Sequence, residues 1–364
     1  FSEKLGDRGI YAPWRKGESL TPQTYIVIEN GKVKDKHHKD LKIKNPDGST
    51  TIIDGKNRAV DFHASEGEIV LAPHDGKLWV KKHEHKVNGF PNVSYYEVII
   101  RKVDFSKKID EDFYTHYVHI VPIHLSATEE NPETVTVGQP IGFVSDLGWA
   151  NSPHIHFQIS KDGKYHGAVD LTKQKMEYQH ILPQKEPRYE IAGNKKIYKG
   201  DKITSDNPGV SSESGKDYTS PLQELNVVKV TVNIVDNSTL NVVIQQVPSN
   251  ILTKYETAKI KIIVFKWFRQ GSKQIKDSVA YPLPSISKST SIEVKIPTAH
   301  RGNKNKDPKK PDEIKIFVLN DNQPTVINCK ESSSNKSRQQ DEQRENQENE
   351  PNNNPTVANS ITQK

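Results

Sequence analysis

The stretch Ser152-Pro153-His154-Ile155-His156-Phe157-Gln158-Ile159 carries two histidines two residues apart. On a β-strand alternate side chains share a face, so both imidazoles point one way while Ile155, Phe157 and Ile159 point the other. Imidazole is mostly neutral near pH 7, binds metals through either nitrogen, and takes up or returns a proton in that range. Two on one strand face suit a metal ligand beside a proton carrier; the plain alternative is a pair of solvated histidines. Three other stretches supply partners. Asn57 to Leu78 contains Asp61 and His63, Tyr117 to Ile123 contains His119, and Val137 to Val144 runs on through Leu147-Gly148-Trp149 into His154. The single cysteine, Cys329, excludes an internal disulfide framework and a cysteine-based zinc knuckle. A metal site in this chain is therefore built from histidine and carboxylate.

The elements that must position these residues are short strands. With 364 residues the chain has room for two domains and further segments. Only 33% of residues are apolar and mean hydropathy is −0.77, so a sizeable part lies outside any core. From about Thr51 to Leu171, short apolar-alternating runs follow one another between Gly, Pro and Asn-Asp punctuation, with no long 3.6-period segment among them. This predicts an all-β domain over 51–171, preceded by an N-terminal extension over 1–50 with one strand at Tyr25 to Glu29. Residues 172–221 are polar and proline-bearing and read as a linker. About seven short strands in 222–330 predict a second β-sandwich of immunoglobulin or fibronectin type. Residues 331–364, rich in Asn, Gln, Glu and Ser, cannot bury enough surface to offset chain entropy and read as a disordered tail.

Taken in order, the motifs resemble the lysostaphin-type, LytM-like zinc metallopeptidases, which cut peptide cross-bridges in bacterial cell walls. The resemblance rests on Asp61 with the Gly67 to Leu78 strand and turn, on Tyr117-Val118-His119-Ile120, on Val137-Gly138 to Ile141-Gly142, and on Pro153-His154-Ile155-His156-Phe157. It runs from Lys56 to Lys161 and on towards Leu171, and it implies the duplicated-hybrid-motif fold, an antiparallel β-sandwich around a groove. Carried over, it makes Asp61 and His156 ligands of Zn2+. His154 and His119 become the unligated pair that activates the metal-bound water and stabilises the oxyanion. His116 and His124 compete with His119 for that role; His119 is preferred on its motif, and the other two read as surface histidines. His83 and His85 read as solvated.

One position departs from the family. Its first zinc ligand, a histidine, stands four residues before the aspartate, and here that residue is Asn57, a neutral and weak donor. His63 lies two residues after Asp61, on the same strand face and roughly 7 Å away at Cα, where it could supply the missing nitrogen. The third ligand is thus Asn57 or His63. A second reading is a catalytically inactive relative that binds the wall or activates a hydrolase. A phosphate carrier on a related barrel is a third class, which the His-x-His-Phe ending does not support. The expected partner is peptidoglycan or another cell-envelope peptide, and the expected location is extracellular or periplasmic. The chain begins at Phe1 and includes no signal peptide. No apolar run approaches the roughly 20 residues that span a bilayer. Net charge is +6, but lysines are spread rather than grouped with aromatics, so no specific nucleic acid is indicated. Oligomeric state is not legible in the sequence.

Overall fold

The computed structural model describes residues 11–29, 32–35, 42–44, 50–52, 59–87, 90–102, 113–160, 188–192, 195–199, 202–211 and 225–332. Strands β1 (Ser19–Leu20), β2 (Pro22–Glu29), β3 (Lys32–Asp35), β4 (Lys42–Lys44) and β5 (Thr50–Ile52) come first. Then follow β6 (Ala59–His63), β7 (Ile69–Leu71), β8 (Gly76–Val87), β9 (Phe90–Lys102) and β10 (Phe113–Val118). Next are β11 (Ile120–Pro122), β12 (Glu133–Val135), β13 (Pro140–Val144), β14 (Gly148–Trp149) and β15 (His154–Ser160). After these stand β16 (Arg188–Ala192), β17 (Lys195–Lys199) and β18 (Ile203–Thr204). The second half holds β19 (Leu225–Asp236), β20 (Thr239–Gln246), a helix α1 (Ser249–Tyr255), β21 (Ile260–Arg269) and β22 (Ser272–Pro282). It ends with β23 (Ser291–Lys295), β24 (Glu313–Asn320) and β25 (Gln323–Glu331).

The main sheet runs β12-β8-β9-β10-β15-β6-β2-β17-β16, with β3 beside β2. Alternation divides its central strands cleanly. Phe62, Leu78, Val98, Ile100, Tyr117, Ile155 and Phe157 are fully buried in one core with Trp14 and Val144. Each such side chain removed from water contributes about 1.5–3 kcal/mol. The opposite face carries Asp61, Glu97, His116, His154 and His156, and this polar face is the floor of the site. A smaller sheet, β11-β13-β7, lies beyond β10.

The segments expected as an extension and a linker are woven into this domain. β17 pairs with β2, β2 pairs with β6, and β1 pairs with β18. Asn207 Nδ2 donates to the carbonyls of Ala12 (2.9 Å) and Ala72 (3.2 Å), and Ser205 Oγ donates to that of Trp14 (2.8 Å). Gly209 passes so close to Gly138 that a Cβ on it would stand 2.3 Å from the Gly138 carbonyl oxygen. Polar composition alone suggests a tether; the pairing partners that order it lie far away in sequence.

The second half is built of strands, as expected, with the helix α1 between β20 and β21. Its strands form one hydrogen-bonded path, β14-β22-β21-β24-β25-β19-β20-β23. Val230, Val242, Phe265, Trp267, Val294 and Ile316, from five of these strands, meet in one core, so the sheet folds over on itself. Parallel pairing of β19 with β25 joins its two layers. A third cluster welds the halves together, with Leu71, Phe143 and Leu147 against Val264, Ala280 and Phe317. Beyond Ser332 the expected disordered tail lies outside the described residues.

Candidate metal centre

β15 lies between β10 and β6, and its register sets the site. His156 stands opposite Asp61 and His154 opposite His63, so all four share the polar face. Their neighbours Ile155, Phe157 and Phe62 anchor the same strands from below. His119 arrives just after β10, whose Val118 pairs with His156. It adopts a left-handed backbone with φ 63°, a conformation that costs a non-glycine residue on the order of 1–3 kcal/mol. Two contacts hold it there: Ser145 N donates to the His119 carbonyl (3.0 Å), and His119 Nδ1 meets the Leu147 carbonyl.

Hydrogen bonding fixes which nitrogens remain available. A carbonyl only accepts, so His119 Nδ1 carries the proton and leaves a lone pair on Nε2. His154 Nδ1 likewise donates to the Ser152 carbonyl (2.8 Å), and its Nε2 is buried with no hydrogen-bond partner. That Nε2 lies 3.6 Å from Asp61 Oδ1, while His156 Nδ1 is 2.7 Å from the same oxygen. One ligand nitrogen from each of His119, His154 and His156 falls within 4.8 Å of the others. The rings of His119 and His154 have centroids 4.7 Å apart. Asp61 and His156 are each 3% exposed, His154 5% and His119 8%, so the cluster is sheltered from bulk water. Burial first, then the neighbouring His154 and His156, holds the pKa of His119 well below the usual histidine value, so it stays neutral at pH 7.

The donor set suits a zinc ion: oxygen and nitrogen ligands, buried, with one lone pair otherwise unmet. Two donors at about 2.1 Å on a tetrahedral ion stand about 3.4 Å apart; the Asp61–His154 separation of 3.6 Å is near that, while Asp61 and His156 at 2.7 Å are hydrogen-bonded to each other. His63 sits on the flank. Its ring is 5.4 Å from that of His154, its Nδ1 is 3.3 Å from Ser152 Oγ, and its buried Nε2 has no partner. It is not one of the three histidines that converge. Asn57 lies outside the described residues.

The remaining histidines fall into other settings. His116, expected at the surface, is fully buried: Nδ1 meets Glu97 Oε1 and Nε2 meets Ser160 Oγ, each at 2.7 Å. Alternation along β10 places it on the polar face, between Ile99 of β9 and Gln158 of β15. His83 is half-buried, not freely solvated, and reaches the other oxygen of Glu97 at 2.5 Å. His124 pairs with Glu133 at 2.7 Å. The carbonyls of Leu147 and Ser152, which set the two tautomers, were not foreseeable, because a backbone acceptor leaves no mark on residue type.

Residues 55–168 match the family model described as Peptidase family M23. Among solved structures, the catalytic domain of lysostaphin from Staphylococcus simulans is similar at 19% identity and TM-score 0.24, covering 45% of this chain and 86% of that one. The catalytic domain of the prophage-encoded M23 protein EnpA from Enterococcus faecalis is 22% identical with TM-score 0.22, covering 31% and 75%. A zinc-containing peptidase from Vibrio cholerae is 20% identical with TM-score 0.21, covering 36% and 41%. A comparison with curated proteins finds no match.

Proposed function

From the premise that residues 55–168 form a peptidase family M23 domain of the lysostaphin type, we propose a zinc-dependent endopeptidase that cleaves peptide cross-bridges of bacterial peptidoglycan. Asp61 and His156 hold the ion, with Asn57 or His63 as third donor. When bound, zinc acts as a Lewis acid on the scissile carbonyl and brings the pKa of a ligated water towards about 7. The chain's own residues do the rest. His154 Nε2 accepts the proton of the attacking water, with its Nδ1–H pinned to the Ser152 carbonyl so that the lone pair cannot turn away. His119, neutral at pH 7, offers a second lone pair at Nε2 that accepts a hydrogen bond from the attacking water. His154, once it has taken the proton, donates from its Nε2 to the developing oxyanion and passes that proton to the leaving amine. The observation that carries this reading is the buried, partnerless His154 Nε2 facing the Asp61–His156 pair.

Asn57, at the position where the resemblance expects a histidine, favours a second reading: a groove that binds the wall without cutting it. Both readings place the protein at the cell envelope, outside the cytoplasm. Among the described residues no helix is long and apolar enough to cross a membrane. Zinc stoichiometry measured alongside release of peptides from purified sacculi separates the two. One bound zinc with chelator-sensitive cleavage supports the peptidase, whereas sacculus binding with neither zinc nor cleavage supports the silent module.

A further inference from the structure

Between the end of β13 and His154 runs the segment 145–153, and its hydrogen bonds go in two directions. Inward, Ser145 N binds the His119 carbonyl, His154 N binds the Ser145 carbonyl at 3.2 Å, and Leu147 and Ser152 supply the carbonyls that set the two imidazole tautomers. Outward, the same few residues are held by the second domain. Asp146 takes Lys266 Nζ at 2.9 Å on one oxygen and Lys276 Nζ at 3.0 Å on the other. Gly148 and Trp149 form β14, which pairs with Lys276 and Ile275 of β22 as the last strand of the second domain's sheet. Lys276 Nζ also donates to the Ala150 carbonyl at 2.9 Å, and Ala150 N to that of Gln274 at 3.2 Å. Leu147 is fully buried in the cluster shared by both halves.

We infer that the second β-domain is a positioning surface for the catalytic site, with Lys266 and Lys276 fixing His119 and the approach to His154 through Asp146 and its neighbours. Lys266 makes the case most sharply. It is 1% exposed, on a strand of otherwise apolar neighbours, and an unpaired ammonium there would be strongly destabilising. Its close partners, Glu66 at 2.7 Å and Asp146 at 2.9 Å, both belong to the peptidase domain; Glu313 of its own domain is 3.6 Å away. Burial alone would lower the pKa of this lysine, and the three carboxylates outweigh it and keep the charge. An apolar side chain would serve simple adhesion at least as well, since replacing buried ion pairs by hydrocarbon is often neutral or stabilising. What the lysines add is geometry: they place one aspartate, and hence the Leu147 carbonyl next to it.

This inference deepens the peptidase reading and rests on it, so its test includes a signal independent of cleavage. In the full chain, Lys276→Met and Lys266→Met would be compared with wild type by exchange of the His119 Nδ1 proton in NMR, by zinc content, and by kcat and KM on a cross-bridge peptide. The expected result is at least tenfold faster exchange of that proton and a kcat lower by on the order of 10- to 100-fold, with zinc and KM unchanged. Unchanged exchange and kcat in a folded Lys276→Met protein would overturn it, and so would equal losses of zinc and stability without any change in exchange. If Lys266→Met does not fold, Lys276→Met, whose ammonium meets Asp146 and the Ala150 carbonyl among the described residues, decides alone. A wild type without cleavage refutes the peptidase reading while the proton exchange still reports on positioning.

Discussion

Asp61, His154 and His156 share a sheet face with Glu97, His83, His116 and Ser160, which stand farther along β15 and on the neighbouring strands β10, β9 and β8. The second group is closed. Glu97 spends one oxygen on each histidine, and His116 uses both ring nitrogens. The first group is open, because backbone carbonyls occupy Nδ1 of His119 and His154 and leave both Nε2 atoms for something else. Similar residue types on one surface thus become mortar in one place and a candidate metal site in the other. What separates them is unspent bonding capacity, and histidine content carries no information about it.

The contrast breaks most visibly at the open group. Asp61→Ala should abolish both zinc binding and cleavage, read by metal analysis and peptide release, since it removes the oxygen that two imidazoles face. His154→Ala should retain zinc and lose cleavage by roughly 10²–10⁴-fold, the usual contribution of a proton carrier. At the closed group the effect should move from activity to stability. His116→Ala strands a buried carboxylate oxygen and should destabilise by about 3–5 kcal/mol in denaturant unfolding, with kcat of the folded protein little changed.

Acid sharpens the same contrast. Burial alone would raise the pKa of Glu97, but the hydrogen bonds from His116 and His83 prevail and bring it to about 2. The unfolded chain then binds a proton that the folded one refuses, so the stabilisation is fully present above about pH 4.5 and is lost as pH falls towards 2. The window amounts to about 3 kcal/mol, and Glu97→Gln should flatten that part of the pH–stability curve. The smallest effect is expected at His63→Ala, where zinc content decides whether the flank of Asp61 donates: a fall in metal stoichiometry marks His63 as third ligand, and an unchanged value removes it.

Alternation made the main sheet readable, since Ile155, Phe157 and Phe62 announce a buried face and thereby place His154, His156 and Asp61 together on the other. The site was legible to the same extent, as far as side chains go. Its hidden half is main-chain: the Leu147 and Ser152 carbonyls, and the positive φ of His119, follow from a loop path that no residue type encodes. The closed group was missed because Glu97 and Ser160 lie 63 residues apart in sequence and meet His116 only through the pairings of β10 with β9 and β15. β14, two residues long, gave no strand signal, and its pairing partner comes from the other half.

The clasp made by residues 11–20 and by 203–210 bears on how this protein could be dissected. A fragment trimmed to the family match at 55–168 would shed Trp14, whose ring lies 4.8 Å from that of Phe62 directly beneath Asp61, and Arg15, whose guanidinium sits 3.0 Å from the buried carboxylate of Glu68. It would also drop Asn207, which ties Ala12 to Ala72. Such a piece should express as an aggregating, partly molten polypeptide, whereas one retaining 11–211 keeps its keystone. Ancestry marks out a shorter stretch of this chain than folding does.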